Sequence, residues 1–81
     1  MVNFDSRTKT ILFGIYHGTL KQSAVKMNTL IDLAFVLGIT SQEVSASLEL
    51  LHKAGCIFID NASEISMMTT GRMLVGMLMT V

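Results

Sequence analysis

Apolar residues recur along this chain with two periods, one helical and one extended, and the change between them sets the expected fold. From about Ser6 to Tyr16, the residues Ile11, Leu12, Ile15 and Tyr16 fall at i, i+1, i+4 and i+5, one stripe of an amphipathic helix. Gly18 is placed to stop that helix. Gly14 lies inside it at a cost of up to about 1 kcal/mol relative to alanine, which predicts a close packing partner at that point. Leu20 to Met27 reads as loop, with Ala24-Val25-Lys26-Met27 as a short strand. A second helix is predicted from Thr29 to Leu37, capped by Asn28 and stopped by Gly38, with Leu30, Ile31, Ala34 and Leu37 on its buried face.

Thr40-Ser41-Gln42-Glu43 is a capping box, in which the Thr40 hydroxyl accepts from the Glu43 amide and the Glu43 carboxylate accepts from the Thr40 amide. Ile39 and Val44 form the matching hydrophobic staple. Val44, Leu48 and Leu51 carry the buried stripe of this third helix to Ala54-Gly55. Only Gly38 and Ile39 separate the two helices, so the connection is a helix-turn-helix. After Gly55 the period becomes 2. Cys56-Ile57-Phe58-Ile59-Asp60, the turn cluster Asn61-Ala62-Ser63 and Glu64-Ile65-Ser66-Met67-Met68 together read as a β-hairpin. Thr69 or Thr70 then caps a last helix with Met73, Leu74, Met77, Leu78 and Val81 on one face. Val75 and Met79 add apolar positions beyond that stripe and Arg72 is the only charge, so this C-terminal helix is apolar nearly all round.

The pattern specifies a small α+β domain ordered helix, strand, helix, helix, strand, strand, helix. At 81 residues it is one domain, too short for a two-domain enzyme or a doubly wound α/β fold. Hydrophobic residues make up 51% against 15% charged, which excludes disorder and leaves more apolar surface than so small a body hides. A homodimer is expected, formed through Met73, Leu74, Met77, Leu78 and Val81 with help from the first helix around Phe13. A purely structural role for the methionines would instead put Met67, Met73 and Met77 in core gaps. The apolar stretch from Met73 to Val81 is far shorter than the roughly 20 residues of a bilayer span, and the N-terminus lacks the basic start and apolar run of a signal peptide. The expectation is a soluble, cytoplasmic protein with no membrane partner. Cys56 has no second cysteine to pair with inside the chain.

Helix-turn-helix followed at once by a two-stranded hairpin resembles the winged-helix domain. Val44-x-x-x-Leu48-x-x-Leu51-x-x-Ala54-Gly55-Cys56-Ile57 resembles the exit of a recognition helix into the first wing strand. Met68-Thr69-Thr70-Gly71-Arg72-Met73-Leu74 is similar to the Leu-Thr-x-x-Gly-Arg-x-Leu stretch that leads from the wing into the last helix of MarR-, PadR- and PaaX-type transcriptional regulators. Leu30 to Ile39 resembles the second helix of PaaX-type N-terminal domains. The likeness spans about residues 8 to 76, and it implies a dimer that lays its recognition helix in the major groove of double-stranded DNA and its wing beside the minor groove. Helical periodicity turns Gln42, Ser45, Ala46, Glu49 and Lys53 outward, and Gln and Ser side chains can read base edges. The implied DNA-binding site is Ser41, Gln42, Ser45 and Lys53 on the recognition helix and Asn61 and Ser63 on the wing, with Lys21 and Lys26 clamping flanking phosphate.

Charge divides two function classes. Residues 40–64 hold one base, Lys53, against Glu43, Glu49, Asp60 and Glu64, a net of −3, whereas residues 1–39 carry +2. Acids facing phosphate oppose the counterion release that dominates protein–DNA affinity. A winged-helix module that binds a protein partner, and no DNA, is the alternative to a regulator. Enzymatic chemistry is not expected. His52 and Cys56, at i and i+4, are two ligands where a metal site needs three or four, no orienting group completes a Cys56/His pair, and Glu43 is already used by the capping box. No metal or other cofactor is implied.

Overall fold

The helices Ser6–Thr19 and Ser41–Lys53 start on local side-chain hydrogen bonds, where short-range chemistry puts them. A computed structural model of the protein describes residues 4–79. In chain order the elements are α1 (Ser6–Thr19), β1 (Val25–Lys26), α2 (Met27–Val36), α3 (Ser41–Lys53), β2 (Ile57–Ile59), β3 (Glu64–Met67) and α4 (Thr69–Met79). The strands form one antiparallel sheet in the order β1-β3-β2, with Ile57 opposite Met67, Ile59 opposite Ile65 and Val25 opposite Ile65. Among the described residues this is an α+β fold of winged-helix layout: four helices, a three-stranded sheet and an apolar C-terminal helix.

The capping box on α3 is complete, with Glu43 N–H donating to Thr40 Oγ1 at 3.2 Å and Thr40 N–H donating to Glu43 Oε1 at 3.0 Å. On α1, Asp5 plays the same part and accepts from the Thr8 amide at 2.7 Å. Gly38 and Gly55 follow the C-caps of α2 and α3 with φ of +80° and +76°, the left-handed conformation that only glycine adopts without strain. The hairpin turn is fastened by Asp60, whose carboxylate accepts from the amides of Ala62 and Glu64, both at 2.9 Å. This is an Asx-type turn, and it holds Ser63 at φ 59°.

The core is built from Ile11, Leu12 and Ile15 of α1, Val44, Leu48 and Leu51 of α3, and Ile57, Ile65 and Met67 of the hairpin, all buried. Each aliphatic side chain fully buried in this way contributes about 1.5–3 kcal/mol relative to an exposed one. Between α1 and α3 the buried hydroxyls of Thr8 and Ser47 meet at 3.0 Å, so each satisfies the other inside an apolar contact.

Several expectations are corrected. Helix α2 begins at Met27, with Lys26 as an N-cap that makes no side-chain capping bond, and Asn28 lies inside its first turn. Gly18 does not end α1, which runs to Thr19; its bare Cα receives the Val25 side chain of β1. Gly14 does face a partner, but loosely, since a Cβ there would stand 3.8 Å from both Leu30 and Leu33. Leu37 is exposed at the C-cap of α2. On α4 the inward residue is Val75, 1% exposed, while Met73 at 64% and Met77 at 54% point outward, so of the three methionines assigned to core gaps only Met67 fills one. The cause is Gly71, whose missing side chain lets the first turn of α4 press against the Cys56 carbonyl and carries the i+4 position inward. No described helix is long and apolar enough to cross a membrane.

Candidate functional site

Two surfaces compete for the functional role, one polar and one apolar. The polar surface is the outer face of α3 together with the hairpin turn. Ser41, Gln42, Ser45, Ala46, Glu49 and Lys53 are all exposed there, as the period of α3 dictates. The cations near this face are already engaged. Lys53 Nζ lies 3.1 Å from Glu49 Oε1 one turn earlier, and Arg7 of α1 reaches Glu43 Oε2 at 2.8 Å. The hydrogen bonds from Thr40, its backbone amide first, hold the Glu43 carboxyl below the usual carboxylate range, and Arg7 adds to the effect. Glu43 therefore stays ionised at the start of the helix that would enter a groove.

The hairpin turn is tied to the start of α2: Met27 N–H donates to the Ser63 carbonyl at 3.1 Å and Lys26 pairs with Glu64 across the sheet. Asn61 and Ser63 are exposed on that turn. Here the structure does gather some of the expected residues. Lys26 and Ser63 line one depression of about 360 Å³ at the N-terminus of α2, with Asn28 and Glu64, and Lys21 and Lys26 share the adjoining one.

The apolar surface was not foreseen. Leu33, Phe35, Val36 and Leu37 of α2 are each exposed, Phe35 at 79% and Val36 at 80%. The run Leu30 to Leu37 holds more large apolar residues than one face of a ten-residue helix can bury, and that excess was the signal available in the sequence. Of the expected dimer residues, Met73 and Met77 lie on the outer side of α4, Leu74 packs against the core, Leu78 is half-buried and Val81 lies outside the described residues. Phe13 is half-buried against the core.

Titratable and nucleophilic groups elsewhere have structural surroundings. His52 Nδ1 sits 3.4 Å from the Ile57 carbonyl, and burial raises the Cys56 thiol pKa. Among the described residues no group of three or more His, Cys, Asp or Glu side chains is placed to hold a metal ion. In comparison with known proteins, the chain matches no family model, no curated protein and no solved structure.

Proposed function

We propose that this is a dimeric winged-helix module whose work is binding another protein. The observation that carries the reading is the number of large apolar side chains, Leu33, Phe35, Val36 and Leu37, that α2 leaves exposed just before the turn into Ser41 and Gln42. Exposed apolar surface of this kind on a small protein marks an interaction site. It is poorly matched to a phosphate backbone. Dimerisation is assigned to α4 through Met73 and Met77, which stand away from the core, with Leu74 and Leu78 completing the stripe. The double variant Met73→Glu and Met77→Glu tests that assignment by analytical ultracentrifugation. The dimer is expected to become a monomer with its fold intact; a wild type that is already monomeric refutes it.

A second reading, a DNA-binding regulator, draws support from one observation. Lys21, Lys26, Asn28 and Ser63 collect around the α2 N-terminus, where the helix dipole favours phosphate, with Glu64 as the one acid in the lining. Binding of pooled random and genomic DNA fragments across a salt series separates the two. The protein-module reading expects no saturable binding even at about 50 mM salt, where electrostatic contacts are still strong. Binding with a clear negative salt slope, lost in Gln42→Ala and in Lys21→Glu with Lys26→Glu, would establish the regulator instead.

A further inference from the structure

Helices α1 and α2 diverge over an apolar groove. Gly14, Leu30 and Leu33 form its floor, shared by two adjoining depressions. The wider, about 460 Å³, opens toward Leu20, His17 and Lys21; the other, toward Leu37 and Ile39, is a crevice of only about 10 Å³. The absence of a side chain at Gly14 makes the notch, since the nearest atoms to a Cβ there are the Leu30 and Leu33 methyls at 3.8 Å. Along α1 the open part of the groove extends from Gly14 to Gly18, about 6 Å at 1.5 Å per residue, or a little over one helical turn. Its charged and titratable lining is one-sided: Lys21 and His17 stand at the wide end and no acid lines either depression.

We infer that this groove takes one turn of an amphipathic helix of a protein partner, one with apolar anchors at i and i+3 or i+4 and a carboxylate at the end that meets Lys21. The inference rests on the protein-module reading and names the partner's chemistry. A groove with an apolar floor that includes the half-exposed Leu33, and with Leu20 exposed at its rim, matches the helix-in-groove mode of recognition. The cation at one end fixes direction, because a helix carrying its acid at the opposite end would leave both charges without a partner.

The test uses the full chain, immobilised, and a displayed library of helix-forming peptides of about 16 residues, long enough to form a marginal helix in water, randomised at the positions of one face. Selection is expected to enrich an apolar stripe with Asp or Glu at one end. A synthesised winner should bind Leu33→Glu and Lys21→Glu at least about tenfold more weakly than wild type, the scale of losing one well-placed contact. Replacing its acids by lysine should restore binding to Lys21→Glu. Both substitutions are at exposed positions, and unchanged circular dichroism and melting confirm that the fold survives. No enrichment, enrichment without the acidic end, or undiminished binding to Leu33→Glu would overturn the inference. So would a dimer that Leu33→Glu converts to monomer, because the occupant would then be a second copy of the chain. Loss of binding in Phe35→Glu but not in Leu33→Glu would keep the protein-module reading while removing the groove from it. Salt-sensitive DNA binding would instead overturn the module reading itself.

Discussion

Two of the helical glycines, Gly14 and Gly71, should respond to alanine in opposite directions, although sequence scales rate the substitutions alike. Each replacement gains up to about 1 kcal/mol of helix propensity and lowers the freedom of the unfolded chain. At Gly14 nothing opposes that gain, since the new methyl would lie 3.8 Å from Leu30 and Leu33, in ordinary contact. At Gly71 the methyl would overlap the carbonyl oxygen of Cys56 and come within 3.0 Å of the Met67 Cε. The methionine can move, but the carbonyl cannot do so freely, because its oxygen accepts the Met68 amide at 2.9 Å where the hairpin leads into α4. Overpacking of this kind costs about 1–3 kcal/mol, and more where backbone must shift. The net expectation is about 0.5–1 kcal/mol of stabilisation for Gly14→Ala and a loss of about 1–3 kcal/mol for Gly71→Ala. In a domain of this size each kcal/mol moves the midpoint by about 4–8 °C. Thermal and urea unfolding followed by circular dichroism at 222 nm measures both. If Gly71→Ala is as stable as wild type, α4 does not sit against Cys56, and the assignment of Val75 to the core and of Met73 and Met77 to the outside fails with it.

The buried hydroxyl pair should be non-additive: Thr8→Val or Ser47→Ala alone strands a polar group and costs about 1–3 kcal/mol, while the double variant recovers much of that loss, as a double-mutant cycle in urea would show. Stability should fall on acidification, because Asp5 and Glu43 both have folded pKa values lowered by hydrogen bonds, from Thr8 and Thr40 respectively. The unfolded chain then binds more protons than the native one, so the contribution is present above the ordinary carboxylate pKa of about 4 and disappears as pH falls through the lower folded values. Urea midpoints between about pH 2.5 and 7 should therefore drop at the acid end, and less steeply in Glu43→Gln. Cys56, buried and with its thiol pKa raised, should react with a thiol reagent only as fast as the protein unfolds, and labelling at the rate of a free thiol in native buffer would contradict its placement.

What could be read from the sequence was local. The capping box at Thr40 and Glu43, the tight link through Gly38 and the change of period after Gly55 each depend on residues a few positions apart, and each is realised. The pairing of Lys53 with Glu49 was equally readable as an i,i+4 contact on one helix face, and it removes the one cation expected to serve α3. The orientations of α2 and α4 were harder because both helices are apolar on more than one side, so periodicity alone does not select the buried stripe. In α4 the decision is made by Gly71, through a close approach to backbone 15 positions earlier in the chain. In α2 the buried stripe ends at Ala34, and Leu37, on the same face by periodicity, is exposed at the C-cap. The Thr8–Ser47 contact joins residues 39 apart, and no short-range rule announces it.

The proposed working surface is α2 with the groove beside it, and not the outer face of α3. Amide chemical-shift mapping on the isotopically labelled chain tests it most directly, with a library-selected helical peptide and a mixed-sequence DNA duplex titrated in turn at about 50 mM salt, where phosphate contacts are strong. The account expects the peptide to move the amides of Gly14, Lys21, Leu33 and Val36, and the DNA to leave Ser41, Gln42 and Ser45 in place. Saturable shifts at Ser41, Gln42 and Ser45 on adding DNA, with α2 silent toward every peptide, would contradict it.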